Sequence, residues 1–546
     1  MSQVDDLADE LTNRLFEADP LRPSVLGLPG SHDRLPDLSE EAEARHRETC
    51  LDIAARAEAL DVTGLHPEAV LTRDVVVQQA RAAVDLLDAK LPEFAVSDAF
   101  TAPIQLLLIT LPMIKLTDEV RATGFVARLA AIPSFVDAVI ERQSRSRLIP
   151  PGFLVDAAIG YFDRLLASPV IEPLRLDVGS KALAAERDTA LDTLVRPALA
   201  RYRRFLAEDL KPRARPAEEP GLCWQPGGLM RYAGLIRAHT TTDRSAQELH
   251  DIGLTLITDL AGEFRSLGSR VFGTTELSEI FTLLRTDPGL RWSSGAELLA
   301  AARTAIERAE AAAPRWFRTT PAERCEVRPV PDTDADAGTI AYYVEPALDG
   351  SRPGIYYANT SQAGERFRHV SEAVAYHEAV PGHHFQLSLA LGLELPLLRR
   401  IADVNSYVEG WGLYAERLAD EMGLYSDDVA RLGMLTQDAM RAGRLVVDTG
   451  LHALGWSRQQ AVDYLRENTP MAPVEIEEEI DRYAGCPGQA LSYMAGRLEI
   501  QRIRAAAERA LGERFDVRDF HDVVLGHGIL PLPVLDRVVS DWITSR

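Results

Sequence analysis

Cysteine is scarce in this chain. Four occur in 546 residues (Cys50, Cys223, Cys325 and Cys486), and no two form a C-x-x-C pair. That excludes both a disulfide framework and a thiolate zinc site. Long apolar runs are also missing. The most apolar stretch, Ile104 to Ile114, follows Pro103 and is broken by Pro112; a membrane span needs about 20 residues. The opening MSQVDDLADELTNRLF is acidic and amphipathic. It has neither a basic start nor an apolar core, so it does not read as a signal peptide. From these absences we expect a cytoplasmic protein without membrane contact. Basic charge is in deficit, with Lys+Arg 59 against Asp+Glu 82 and a net charge of −23. General nucleic-acid binders are normally basic, so no nucleic-acid partner is expected. No internal repeat or long low-complexity tract appears, which argues against a solenoid.

What the chain does have is helical periodicity. Residues 40–60, 183–206, 245–268, 295–313 and 427–448 place apolar side chains at spacings of three and four. Ser245 with Glu248, and Ser457 with Gln460, have the spacing of capping boxes. Residues 211–228 (KPRARPAEEPGLCWQPGG) are rich in Pro and Gly. They divide an N-terminal helical region, 1–215, from a C-terminal region, 229–546, unless they form a surface loop within one continuous α-helical domain. Residues 325–360 break the helical rule. CEVRPVP, TIAYYVEP and GIYYANT are short, β-branched and aromatic, and predict a small antiparallel sheet. The expected fold class is therefore mainly α, with that sheet just ahead of the most informative motif.

That motif is Tyr376-His377-Glu378-Ala379-Val380-Pro381-Gly382-His383-His384-Phe385-Gln386. His-Glu followed by a histidine one turn later is how helical zinc hydrolases hold metal and base. Here position i+4 is Pro381. Removing Pro381-Gly382 restores His-Glu-x-x-His in register, so these two residues read as an insertion. A proline inside a helix clashes with the carbonyl four residues back, here that of His377, and Gly382 accepts unusual dihedrals. In an ideal helix His383 would sit about 120° from the face of His377, and His384 about 10 Å along the axis. A looped-out Pro-Gly returns His383 to the site. His383 is the favoured second ligand, with His384 the alternative.

Glu378 is then the candidate general base, acting on a water activated by zinc. A third ligand is required. Asp403 to Gly423 supplies Glu409, flanked by Gly410, Trp411 and Gly412. Each helical glycine costs about 1 kcal/mol relative to alanine, so the pair implies a close backbone approach, such as to the metal helix. Glu416, two turns later, reads as a solvated helix charge; Asp403 and Asn405 are weaker candidates. Tyr493 is a candidate oxyanion donor and His452 a second catalytic candidate. Asp448 could orient a histidine or cap a helix. His521 and His527 read as structural. Arg441, Arg444 and Arg497 could grip a substrate carboxylate, with salt bridges as their default role. Tyr356, Tyr357 and Asn359 would approach the substrate if a peptide added to the sheet edge.

HEAVPGHHFQ followed by EGWGLYAE resembles the bacterial family called domain of unknown function 885, related to the gluzincin metallopeptidases. The resemblance extends to Asp19-Pro20, Leu26-Gly27, His250 to Gly253, RLVVDTGLHALGW, CPGQALSYMAGRLEI and FHDVVLGHGILPL. It implies a large multi-helix gluzincin-like fold and a Zn2+ site at His377, His383 and Glu409. The family pattern has no fixed histidine at position 384, which again favours His383. It implies no substrate. The expected function is a zinc-dependent hydrolase of peptide or amide bonds in small peptides or peptide-like metabolites. The rivals are a metal-dependent enzyme acting on a modified amino acid or natural-product amide, and an inactive helical scaffold. A homodimer is only the base-rate expectation for assembly.

Overall fold

A computed structural model of the protein describes residues 2–97, 101–168, 170–330, 340–348, 350 and 352–546. The fold is mainly helical. The elements used below are α1 (Gln3–Ala18), α2 (Glu40–Glu58), α3 (Pro67–Ala89), α4 (Glu119–Arg145), α5 (Gly228–Thr240), α6 (Ala246–Val271) and α7 (Gly295–Ala312). Three strands follow: β1 (Glu326–Pro329), β2 (Ala341–Val344) and β3 (Ile355–Ala358). Then come α8 (Ser371–Glu378), α9 (His383–Gly392), α10 (Asn405–Glu421), α11 (Asp428–His452), α12 (Pro473–Gly485), α13 (Leu491–Leu511) and α14 (Leu532–Ser545).

The periodic segments of the sequence form helices where expected, at α2, α6, α7 and α11. Both capping boxes are present, the Ser245 box at the start of α6 and the Ser457 box on the helix Arg458–Asn468. The segment 183–206 runs through α-helical and π-helical turns from Lys181 to Leu210.

The strands fall where predicted, with Pro331 and Thr339 outside the described residues. Their pairing is not purely antiparallel. The order is β1-β3-β2, with β1 parallel and β2 antiparallel to β3. The strands alternate in direction along the chain as in a meander, but the third inserts between the first two. β3, which carries Tyr356 and Tyr357, is therefore central and has no free edge for an incoming peptide. Tyr357 stacks on Tyr342 of β2, with ring centroids 5.1 Å apart.

Segment 211–228 is packed. The Arg215 guanidinium donates to the carbonyls of Ile149, Pro220 and Gly221, and Leu222 N–H donates to His452 Nδ1. One hydrophobic core holds Leu7 and Leu11 of α1 and Val75 of α3. It also holds Phe385, Trp411 and Leu535 from the other end of the chain. The N-terminal and C-terminal regions thus share a core. A second core lies almost wholly within residues 21–210. It includes Phe125, Leu129 and Val136 of α4, the one helix among the described residues long and apolar enough by composition to cross a membrane. Those side chains face other helices of the protein.

Candidate metal centre

The insertion in the motif breaks the helix. α8 ends at Glu378, and Ala379 (φ −110°, ψ −100°) and Gly382 (φ −82°, ψ −128°) leave the helical region. The Val380–Pro381 bond is cis. The backbone folds back so tightly that a Cβ on Gly382 would sit 1.8 Å from the His377 carbonyl oxygen. α9 then starts at His383 with a new direction. Trp411 of α10 fastens the loop, its indole N–H donating to the Pro381 carbonyl at 2.9 Å.

This detour brings the two histidines together. The rings of His377 and His383 lie 4.6 Å apart and nearly perpendicular. Both Nε2 atoms point at one carboxylate oxygen, Glu409 Oε2, at 3.4 Å and 3.3 Å. Ligand atoms from the three residues lie within 4.8 Å of one another. His384 turns away. Its Nδ1 lies 3.0 Å from the Tyr343 hydroxyl and its Nε2 donates to the Glu323 carbonyl at 3.0 Å. Of the two histidines, His383 is the one grouped with His377 and Glu409.

The donor set fits a zinc ion. Bonds of about 2.0–2.1 Å at tetrahedral angles separate neighbouring ligand atoms by ~3.3 Å, close to the two spacings above. Glu409 Oε2 is buried and receives no hydrogen bond of good geometry, although both imidazoles face it. Such a buried orphan carboxylate oxygen calls for a cation. Burial alone would raise the Glu409 carboxyl, but the two histidines outweigh it and hold the group well below the usual carboxylate range. Glu378, next to His377 in the chain, is pushed upward, chiefly by burial.

Glu416 is not a solvated charge. It is fully buried, and its Oε1 lies 2.8 Å from His377 Nδ1. With Glu416 as acceptor of the Nδ1 proton, His377 leaves its Nε2 lone pair facing Glu409, the arrangement that usually supports a metal-binding imidazole. Glu409 and Glu416 are seven residues apart, two turns on one face of α10. That spacing was the signal available in the sequence. Gly412 explains itself here too, since a Cβ at that position would lie 2.6 Å from His377 Cε1. Gly410 serves a different contact, with Gly496 on α13.

Tyr493 reaches the site. Its ring lies 6.5 Å from that of His377 and 4.5 Å from the Arg444 guanidinium. His452 does not join it. Both ring nitrogens are taken by main chain, Nδ1 accepting from Leu222 N–H and Nε2 donating to the Tyr483 carbonyl at 2.9 Å. Burial lowers its pKa to about 4. It is a neutral packing residue, a correction to the catalytic role expected of it. Asp448 orients no histidine; it accepts from the Tyr232 hydroxyl and from Gly488 N–H. Asn405 lies 3.3 Å from His239, and the Asp403 carbonyl accepts from Gln79. His521 bridges the Tyr414 hydroxyl and the Trp316 carbonyl; His527 pairs with Glu68. Asn359 is fully buried and accepts from Ser361 N–H.

A family model described as bacterial protein of unknown function (DUF885) matches residues 20–539. The chain belongs to the DUF885 family. No curated protein matches it. One solved structure similar to this DUF885 chain is described as “the putative lipoprotein from Colwellia psychrerythraea”. It has 29% identity and a TM-score of 0.92, covering 100% of this chain and 99% of that one. A second, “a putative lipoprotein of unknown function from Shewanella oneidensis”, has 16% identity and a TM-score of 0.76, covering 98% and 99%. The second likeness concerns the fold alone.

Proposed function

We propose that this DUF885 protein is a zinc-dependent hydrolase of peptide or amide bonds in small substrates, with a gluzincin-like site. The observation that carries the reading is the convergence of His377, His383 and Glu409 on one point beside the carboxyl of Glu378. Zinc held there would supply Lewis acidity and lower the pKa of a water toward ~7. Glu378 is the group that accepts a proton from the attacking water and returns it to the leaving amine. Glu416 fixes the His377 tautomer. Tyr493, largely buried beside His377, is the donor we assign to the developing oxyanion.

The test is metal content followed by turnover, on protein purified without a His-tag. About one zinc per chain is expected, with cleavage in a short-peptide library. Glu378→Gln should keep the zinc and lose ~10²–10⁴-fold in rate. A wild type that takes up no zinc when it is supplied, or a Glu378→Gln variant with full activity, refutes the mechanism.

A further inference from the structure

Four arginines of the C-terminal helices point inward near the site, and three have met a carboxylate. Arg444 pairs with Glu479 at 2.9 Å. Arg417 and Arg497 share Asp438. Arg441 is the exception. Its side chain is more than nine-tenths buried, at 9% exposure. One Nη donates to Gln437, and its buried Nε meets no acceptor. Among the described residues no carboxylate lies within ion-pair range of it. A guanidinium withdrawn from water without a counter-charge is unfavourable until an anion arrives.

Position gives that unpaired guanidinium a meaning. The Arg441 guanidinium lies 6.0 Å from the Tyr493 ring centre, on the ring that neighbours His377. Its charge acts on Glu378 and on Glu475. Glu475 lines a cavity of about 300 Å³ together with Tyr356, Val370 and Val374. Val374 precedes Glu378 by four residues and shares its face of α8. Exposed Val474 stands at the rim. A smaller void continues inward past Glu475 to Gln437 and Met440, the neighbours of Arg441. The cavity thus opens beside the face of α8 that carries Glu378, and Gln437, the hydrogen-bond partner of Arg441, lines the smaller void next to it. The larger cavity's volume suits a ligand of dipeptide size.

We propose that Arg441 receives a free carboxylate of the substrate, making the preferred substrates short peptides or N-acyl amino acids with an unblocked carboxyl group next to the scissile amide. This rests on the hydrolase reading above. In the reaction the amide C–N bond breaks and a C–O bond to the water oxygen forms. The water protons are shared between the new acid and the leaving amine, so no other reactant is needed. The planar fork of an arginine matches a carboxylate with two parallel hydrogen bonds; a lysine offers one point charge.

The test is binding by titration calorimetry, with N-acetyl amino acids of small, aliphatic and aromatic side chain against their primary amides. Zinc-loaded and chelator-stripped protein are compared. Wild type is expected to bind at least one acid about tenfold or more tighter than its amide, in both states. Arg441→Gln should remove the preference and Arg441→Lys should keep part of it, each with an unchanged melting temperature. Equal affinity for acid and amide in wild type, no detectable acid binding, or a preference that survives Arg441→Gln overturns the proposal. If the preference is present and Arg441-dependent but no library peptide is cleaved, the hydrolase reading fails while the carboxylate site stands.

Discussion

Gly412→Ala tests how closely α10 is fitted to His377, a proposed zinc ligand. The added methyl would meet three ring atoms of His377, at 2.6 Å from Cε1, 2.8 Å from Nε2 and 2.9 Å from Nδ1. Ordinary contact begins near 3.4 Å, so the ring must retreat by roughly 0.8 Å. It has no free direction. Glu416 holds Nδ1 at 2.8 Å, and the His383 ring stands 4.6 Å away. Metal–ligand distances tolerate only about ±0.2 Å, so the displacement is several times what coordination allows. Overpacking of a filled core costs about 1–3 kcal/mol. The expected result is lower stability and a loss of zinc affinity of ~10-fold or more, read by competition with a chromogenic chelator and by thermal melting. Gly262→Ala is the matched control. It lies within helix α6 with nothing within 4 Å of the new Cβ, and alanine there should stabilise by up to about 1 kcal/mol. A Gly412→Ala protein that binds zinc and melts like wild type would refute the argument that this glycine makes room for the imidazole.

Glu416→Ala leaves His377 Nδ1 without its buried acceptor; a 10–100-fold weaker zinc affinity is expected, and unchanged affinity would show that Glu416 has no such role. His383→Ala should abolish stoichiometric zinc while His384→Ala keeps it, since His384 is committed to Tyr343 and Glu323; elemental analysis of both variants decides. Burial lifts the Asp448 carboxyl to about 7, above its ordinary value of 3.8 in the unfolded chain. The folded state therefore holds this proton more tightly. The resulting stability is complete below pH 4 and is lost as pH rises through 7. Asp448→Asn should flatten that part of the stability profile in denaturant titrations, and a slope identical to wild type would count against a protonated Asp448.

The proposed ligand cluster was legible because a metal-binding pattern leaves marks in residue type and spacing. His377, Glu378 and His383 lie within seven positions, and the Pro-Gly insertion announces itself as a break. Glu409 was visible through the glycines beside it. Glu416 was misread because a buried carboxylate and a solvated one look alike when only one helix is in view; its depth comes from packing against α8. His452 misled for the converse reason. It sits beside polar Asp448 and Thr449, yet its partners are main-chain groups of Leu222 and Tyr483, far away in the sequence. The strands were found because alternation and turn residues are local. Their order was not, since insertion of β3 between β1 and β2 is decided by what the sheet packs against. Arg441 could not be told from Arg444, because only the placement of Glu479 separates them.

The shared core has a consequence for how the protein is made. Leu7 and Leu11 must meet Leu535 and Val539 to complete one apolar cluster. At 5–20 residues per second, translation separates these partners by roughly half a minute to two minutes. Through that interval the first helices leave the ribosome with their inner faces bare, and His377, His383 and Glu409 emerge before the last wall of the core exists. Early helices of this kind are natural clients for holding chaperones, and the cluster of His377, His383 and Glu409 gains its full packing only after the chain has left the ribosome.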